Sequence, residues 1–255
     1  MDLYYMIVLF IFGTIFGSFY NVVGTRLPNG KSIVTPASHC DKCKKTLKYY
    51  ELIPIFSFLF QKGKCRNCKT KLSAKYLIYE LFTGLCFMLC YKVFGFNLEL
   101  LFALTFVSGL IIIIISDIEY YIIPDEIIVI TSILAIIQMY FIYGSKAVFM
   151  HLLSGVLAFL VMLSVKIFGD FAFKKESMGG GDIKLLFLIG LVIGFKMSVV
   201  TIFLASLIGL PVSLFVLKLK KDNIIAFGPF LSIAAMILFL FQMDFNKLIE
   251  LLTFI

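Results

Sequence analysis

Long apolar runs broken by short polar interruptions make up most of this chain. Measured against the roughly 20 residues a helix needs to cross a bilayer, they fall at Leu3 to Val23, Tyr76 to Phe94, Leu98 to Ile115, Ile127 to Tyr143, Ala147 to Phe168, Ile183 to Phe195, Met197 to Leu217 and Ile224 to Phe241. The pattern predicts an all-α polytopic membrane protein of about eight transmembrane helices. The sixth run is short and only Lys196 parts it from the seventh, so seven spans with a re-entrant sixth segment is the alternative. The first run lacks a basic leader region and is followed by Arg26-Leu27-Pro28 rather than small residues, which reads as a retained span and not a cleaved signal. The expected organisation is a first helix over residues 1–25, a polar module over 26–75, a helical membrane core over 76–241, and an interfacial segment over 242–255.

Composition supports this reading: 61% hydrophobic residues, 15% charged and a mean hydropathy of +1.04 exclude an ordinary soluble domain. Charge then orients the helices, because short loops rich in Lys and Arg stay cytoplasmic. With the N-terminus outside, the inner side holds every Lys and Arg from Arg26 to Lys75 together with Lys166, Lys174, Lys175, Lys184, Lys218, Lys220 and Lys221. Only Lys92, Lys146, Lys196 and Lys247 fall outside. The net charge of +8 is thus a topology signal and an attraction to anionic membrane lipid, not a nucleic-acid footprint.

The polar module carries Cys40-Asp41-Lys42-Cys43 and Cys65-Arg66-Asn67-Cys68. Two CxxC pairs form a four-thiolate pattern suited to tetrahedral zinc, which would add folding energy to a loop with little core of its own. A cytoplasmic loop is a reducing setting, which disfavours disulfides as the alternative use of these thiols. His39 is expected to be a bystander, and Cys86 and Cys90, inside the second run, to be small buried apolar residues. Between the Cys pairs, Glu51-Leu52-Ile53-Pro54-Ile55-Phe56 is either a re-entrant or interfacial segment or the apolar filling of the metal module.

Two carboxylates sit at span boundaries. Asp117 ends the third run, and Asp182 opens the sixth behind Gly179-Gly180-Gly181. The predicted topology brings both to the cytoplasmic face at one depth. Ionisable residues in such places are functional candidates. A close pair of carboxyls shares a proton, so one can act as base on water while the other polarises a carbonyl, which hydrolyses an amide without a covalent intermediate. The glycines would let a substrate backbone approach Asp182. Only His39 and His151 exist, and His151 is expected near the outer face, so no Ser-His or Cys-His scheme is well supplied. The alternative is a proton- or cation-coupled transporter using the paired acids, although such acids are expected nearer the bilayer midplane.

Gly17-Ser18-Phe19-Tyr20-Asn21-Val22-Val23 with Arg26-Leu27-Pro28, the two CxxC pairs, Glu51-Leu52-Ile53-Pro54, Asp117 with Pro124-Asp125, and Gly179-Gly180-Gly181-Asp182-Ile183-Lys184-Leu185 resemble the type IV prepilin peptidases in kind and order. The resemblance runs from about Gly17 to Gly194. The GxGD element taken alone is shared with presenilin-like aspartic proteases. Asp41, where the family often has Pro, and Tyr20, where an aliphatic residue is expected, depart from the pattern without touching the acids. The resemblance implies a multi-pass protein of the bacterial cytoplasmic membrane that removes a short basic leader from prepilins, pseudopilins or competence proteins. It makes Asp117 and Asp182 the catalytic pair and Cys40, Cys43, Cys65 and Cys68 the metal ligands. It also implies N-methylation of the new N-terminal residue with S-adenosylmethionine, for which Glu51, Gly63 and Lys64 are candidates. Glu119, Asp125 and Glu126 read as loop-solvating residues, with Asp125 placed to cap the fourth span, or as contacts for the basic leader.

Overall fold

A computed structural model describes residues 2–219, 225–247 and 250. Among them every regular element is helical: α1 (Asp2–Arg26), α2 (Phe56–Phe60), α3 (Lys75–Phe94), α4 (Leu98–Tyr120), α5 (Asp125–Phe173), α6 (Gly180–Ile193), α7 (Phe195–Leu219) and α8 (Gly228–Leu240). The chain divides into two compact units, Met1–Phe96 and Asn97–Ile255.

In the first unit α1 and α3 pair along small residues. A Cβ at Gly13 would lie 2.8 Å from Gly84 Cα, and one at Gly17 would lie 2.9 Å from Glu80 Cα. The two helices are antiparallel, because positions rising along α1 meet positions falling along α3. Glycines four apart on α1 let the backbones approach, the usual basis of helix pairing where lipid removes the hydrophobic drive. The second apolar run, α3, thus pairs with the first. The loop between α1 and α3 holds α2 and the four thiols.

In the second unit α4 is the most enclosed helix. Phe106, Leu110, Ile111, Ile113 and Ile115 are almost wholly buried, and α4 packs on α5 and α8, α6 on α5, and α7 on α8. Asn97 starts α4 by accepting the Leu100 amide at 3.1 Å, an N-cap of the ordinary kind. The 49-residue α5 is interrupted at Gly144, whose backbone is non-helical (φ 80°, ψ 177°), so the fourth and fifth apolar runs form two helical segments that meet at a kink there. Beyond the bend, α5 meets α6 at very short range: a Cβ on Gly190 would stand 2.5 Å from Ala158 Cβ.

Among the described residues five helices are long and apolar enough to cross a membrane: α1, α3, α4, α5 and α7. Their outward faces expose Ile7, Ile11 and Ile15 on α1 and Ile130, Ile133, Leu134 and Ile137 on α5, as lipid-facing helices do. α6, with 14 residues, is shorter; at 1.5 Å per residue it reaches about 21 Å, less than the roughly 30 Å of a hydrocarbon core. The expected interfacial segment over 242–255 lies largely outside the described residues.

Candidate active site and thiol cluster

One end of the second unit gathers both acids. Asp117 sits in the last turn of α4, which closes when Tyr121, left-handed at φ 58°, donates its amide to the Asp117 carbonyl. The chain then folds back, with the Ser116 hydroxyl donating to the Ile122 carbonyl at 2.5 Å. That turn drives Ile123 between two helix starts. A Cβ on Gly181, in α6, would lie 2.9 Å from Ile123 Cβ, and one on Gly228, in α8, would lie 2.9 Å from Ile123 Cδ1 and 2.5 Å from Asp117 Oδ2. The α4 terminus, Ile123 and the first residues of α6 and α8 therefore form a single cluster. Asp117 and Asp182 are both buried, at 5% and 8% exposure. Asp182 Oδ1 is buried with no hydrogen-bond partner, whereas the Gly228 backbone N–H donates to the Asp117 carboxylate. Asp182 lies in the first turn of α6 and Asp117 faces the first turn of α8. Asp182 thus occupies the positive end of its own helix dipole, whereas Asp117, at the negative end of α4, is offset by the facing start of α8.

The glycines behind Asp182 differ in surroundings. Gly181 makes room for Ile123, which is a packing reason for its missing side chain. Gly180 faces open space, with nothing within 4 Å of a Cβ, and a Cβ on Gly179 would make only ordinary contact with Asp182 at 3.8 Å. Asp125 is not the cap of α5. Pro124 holds the N-cap position and no side chain bonds there; Asp125 instead accepts from Lys184 Nζ at 2.6 Å and ties the start of α5 to the start of α6. His151 lies far along α5, its ring Nδ1 2.8 Å from the Leu191 carbonyl near the other end of α6.

Gly228, Pro229 and Ile123 were missed when the chain was read as a sequence. A glycine and proline after a polar break do mark a helix start, but nothing in the local pattern says that this start faces Asp117.

In the first unit the two CxxC pairs build matching turns. Cys40 N–H donates to the Lys45 carbonyl and Lys44 N–H to Cys40; Cys65 N–H donates to Thr70 and Lys69 N–H to Cys65. Lys44 and Lys69 are both left-handed, with φ 56° and 58°. The strand bridges His39 to Thr46 and Lys64 to Lys71 close the two hairpins alike. All four Sγ atoms lie within 4.8 Å of one another, with Cys40 and Cys68 at 3.7 Å. Four thiolates about 2.3 Å from a central ion would be spaced close to that, so the cluster fits a tetrahedral metal. Outward hydrogen bonds favour the thiolate form: the Lys45 amide and the Asn67 side chain lower the Cys43 pKa, and the Thr70 hydroxyl and amide bring Cys68 down to about 6. The His39 ring stands 3.0 Å from the Ala37 carbonyl and is not among the ligands.

The three candidates for methyl transfer share this loop but have structural tasks of their own. Glu51 accepts the Lys48 amide at 2.9 Å, Gly63 turns at φ 64° beneath the Phe58 ring, and Lys64 belongs to the second hairpin.

Residues 11–94 match the Bacterial Peptidase A24 N-terminal domain and residues 104–214 match the Type IV leader peptidase family. The chain is 37% identical over 238 residues to the prepilin leader peptidase/N-methyltransferase of Bacillus subtilis (strain 168), covering 92% of this chain and 93% of that one. It is 34% identical to the protein of that name from Myxococcus xanthus, over 84% of this chain and 63% of that one, and 30% identical to that of Neisseria gonorrhoeae, over 90% and 88%. No solved structure gives a significant match. The two matched regions coincide with the two units, one holding the thiol cluster and the other the paired acids, and the chain belongs to the type IV leader peptidase family.

Proposed function

We propose that the protein is a membrane aspartic endopeptidase that cleaves the short basic leader from prepilins or prepilin-like proteins, and that it also N-methylates the new N-terminus. The observation that carries the peptidase reading is the burial of Asp117 and Asp182 around Ile123 at one end of the second unit. The matched relatives bear the name of both activities. An ion-transport role finds support in neither the relatives nor the position of the acids.

The Gly228 amide donates to Asp117, which favours the ionised form there and so favours the shared proton on Asp182. Asp117 then takes a proton from water as the water oxygen attacks the scissile carbonyl carbon. Asp182 gives its proton to the carbonyl oxygen. Collapse of the tetrahedral adduct breaks the C–N bond: the proton held by Asp117 passes to the leaving amine, and one hydroxyl of the adduct returns its proton to Asp182 as the new carboxyl forms. Gly179 and Gly180, whose Cα atoms face open space or loose contact, are the places where substrate backbone approaches Asp182. Asp125 is paired to Lys184, and Glu119 and Glu126 flank the same turn as candidate contacts for a basic leader.

The apolar runs support about eight spans, with α5 supplying two on either side of Gly144. The Lys and Arg distribution supports an outside N-terminus, with the acids and the thiol loop at the cytoplasmic face of a bacterial inner membrane. Zinc is the ion that best suits four thiolates at this spacing. S-adenosylmethionine is the methyl donor that the relatives' activity calls for; no step is assigned to Glu51, Gly63 or Lys64. The test is incubation of the purified protein in lipid vesicles with a prepilin and measurement of product mass. Loss of the leader with a 14 Da increment on the mature chain, the mass of one added CH₂ after balanced methyl transfer, supports both activities. An uncleaved substrate would refute the reading.

A further inference from the structure

Between the two thiol hairpins the chain turns its apolar side outward. Leu52, Ile53, Phe56, Leu59 and Phe60 are exposed, Phe60 at 85%, and within α2 the spacing of Phe56, Leu59 and Phe60 places them on one helix face. The inward residue of α2 is Phe58, whose ring packs over Gly63. The segment therefore contributes one ring to the thiol module and leaves five large apolar side chains outside it, which is not how core filling behaves.

Its position is set by a buried acid in a membrane helix. Glu80, at 8% exposure in α3, accepts the Ile55 N–H at 2.7 Å and a hydrogen bond from Ser18 of α1. Ile55 sits at φ 63°, ψ −58°, with Phe56 N–H donating back to the Pro54 carbonyl at 2.6 Å. This is the γ-turn that β-branched residues avoid, and the Glu80 carboxylate holds it closed. Glu80 lies five residues inside α3 from Lys75, about 7 Å at 1.5 Å per residue. A segment bonded at that level sits at the depth of an interfacial helix, whose apolar face enters about 5–10 Å into the headgroup and acyl boundary. The flanks agree. Lys48, Lys62, Lys64, Arg66, Lys69 and Lys71 are outside the apolar face and exposed or partly exposed, as suits anionic headgroups, while Tyr76 and Ile78 continue an exposed apolar surface into α3.

We propose that Leu52 to Phe60 is an interfacial membrane anchor, its apolar face in the lipid, fixed at that depth by the hydrogen bond from Ile55 to Glu80. It couples the thiol module to the bilayer surface and so sets the height at which that module meets anything emerging from the membrane.

The chain contains no tryptophan, so a single introduced indole reports its own surroundings. Phe56→Trp and Phe60→Trp are placed one at a time in the full-length, zinc-loaded protein, in vesicles of phosphatidylcholine and phosphatidylglycerol with or without brominated acyl chains. Lys42→Trp, at the exposed tip of the first thiol hairpin, is the aqueous reference. The expected result is blue-shifted emission at positions 56 and 60 that brominated lipid largely extinguishes and aqueous iodide does not, with the reverse at position 42. Adding Glu80→Leu to Phe60→Trp should lower the quenching by brominated lipid, whereas Glu80→Gln, whose amide oxygen still accepts from Ile55, should keep it. Iodide quenching at 56 and 60 equal to that at 42 overturns the proposal. So does shielding that appears only when a prepilin is added, which would assign the face to substrate, or resistance to both quenchers, which would bury it in protein.

Discussion

Replacing Gly228 with alanine tests the reading of the acid cluster at its tightest point. The added Cβ would stand 2.5 Å from Asp117 Oδ2, 2.9 Å from Ile123 Cδ1 and 3.3 Å from Asp117 Cγ. Ordinary contact begins near 3.4 Å, so the carboxyl or the start of α8 must give way by close to 1 Å. Asp117 is the softer partner, because its side chain can rotate whereas α8 is anchored by buried Leu231, Ala234 and Ala235. A displacement of about 1 Å in a catalytic group typically costs on the order of 100-fold in rate, or about 2.7 kcal/mol in the barrier. Gly228→Ala should therefore lower kcat for leader cleavage by about that factor, with KM changed little, since the substitution acts on the acid rather than on an open surface. The assay is cleavage of a purified prepilin in vesicles under saturating and subsaturating substrate, with metal content and thermal unfolding measured on the same preparation to show that the fold survives. A variant with unchanged kcat would refute the placement of α8 against Asp117. A variant that loses metal and unfolds early would show that the strain is taken up by the helices instead.

Asp117→Asn and Asp182→Asn should each abolish cleavage while leaving membrane insertion and bound metal intact; cleavage by either purified variant would end the two-acid mechanism. Serine at any of Cys40, Cys43, Cys65 or Cys68 should remove the metal, and elemental analysis of reduced protein should find one zinc per chain before the change and much less after it. Because the Cys43 and Cys68 pKa values are lowered on folding, the stability those thiolates contribute is fully present above the ordinary thiol value and is lost progressively as pH falls from there through the folded value, about 6 for Cys68. Metal retention measured across pH 8 to 5 should drop on the acid side. Gly190→Ala places a methyl 2.5 Å from Ala158 Cβ and 3.0 Å from the Ser154 carbonyl, overpacking that should cost about 1–3 kcal/mol and appear as a lower unfolding temperature in detergent. Lys184→Met breaks an ion pair whose side chains are 49% and 59% exposed, and should change stability by less than about 1 kcal/mol.

Much of this fold could be read from the order of residues because the bilayer imposes a simple rule: a backbone inside it must be helical, and a helix inside it must be apolar. The runs ending at Phe94 and beginning at Leu98 match helix bounds for that reason. Thiols three apart in two pairs and acids at run boundaries are legible on similar terms, since each places a reactive group where chemistry must explain it. What could not be read is pairing in three dimensions. Gly13 and Gly17 repeat at helical spacing, yet only coordinates show that Gly84 of α3 receives them, and the bend at Gly144 looks like any polar interruption.

The hardest element to foresee was the start of α8, and the reason bears on how the site works. Asp117 and Gly228 are separated by more than a hundred residues, and neither carries a motif that names the other. Their contact depends on Ile123 being turned back by the left-handed Tyr121 and by the Ser116 to Ile122 hydrogen bond. Ile123 then needs glycine on both sides, at 181 and at 228. An apolar wedge between two helix starts limits how closely they approach without placing another polar group beside the acids. The same wedge makes the spacing sensitive to size. Ile123→Val removes one methyl and should be tolerated, whereas Gly181→Ala pushes on Ile123 Cβ itself, 2.9 Å away, a branch point that no rotamer change can move aside. Cleavage rates for the two variants should therefore differ by an order of magnitude or more. Equal rates would mean that Ile123 only fills space and that the acids are held apart by something else.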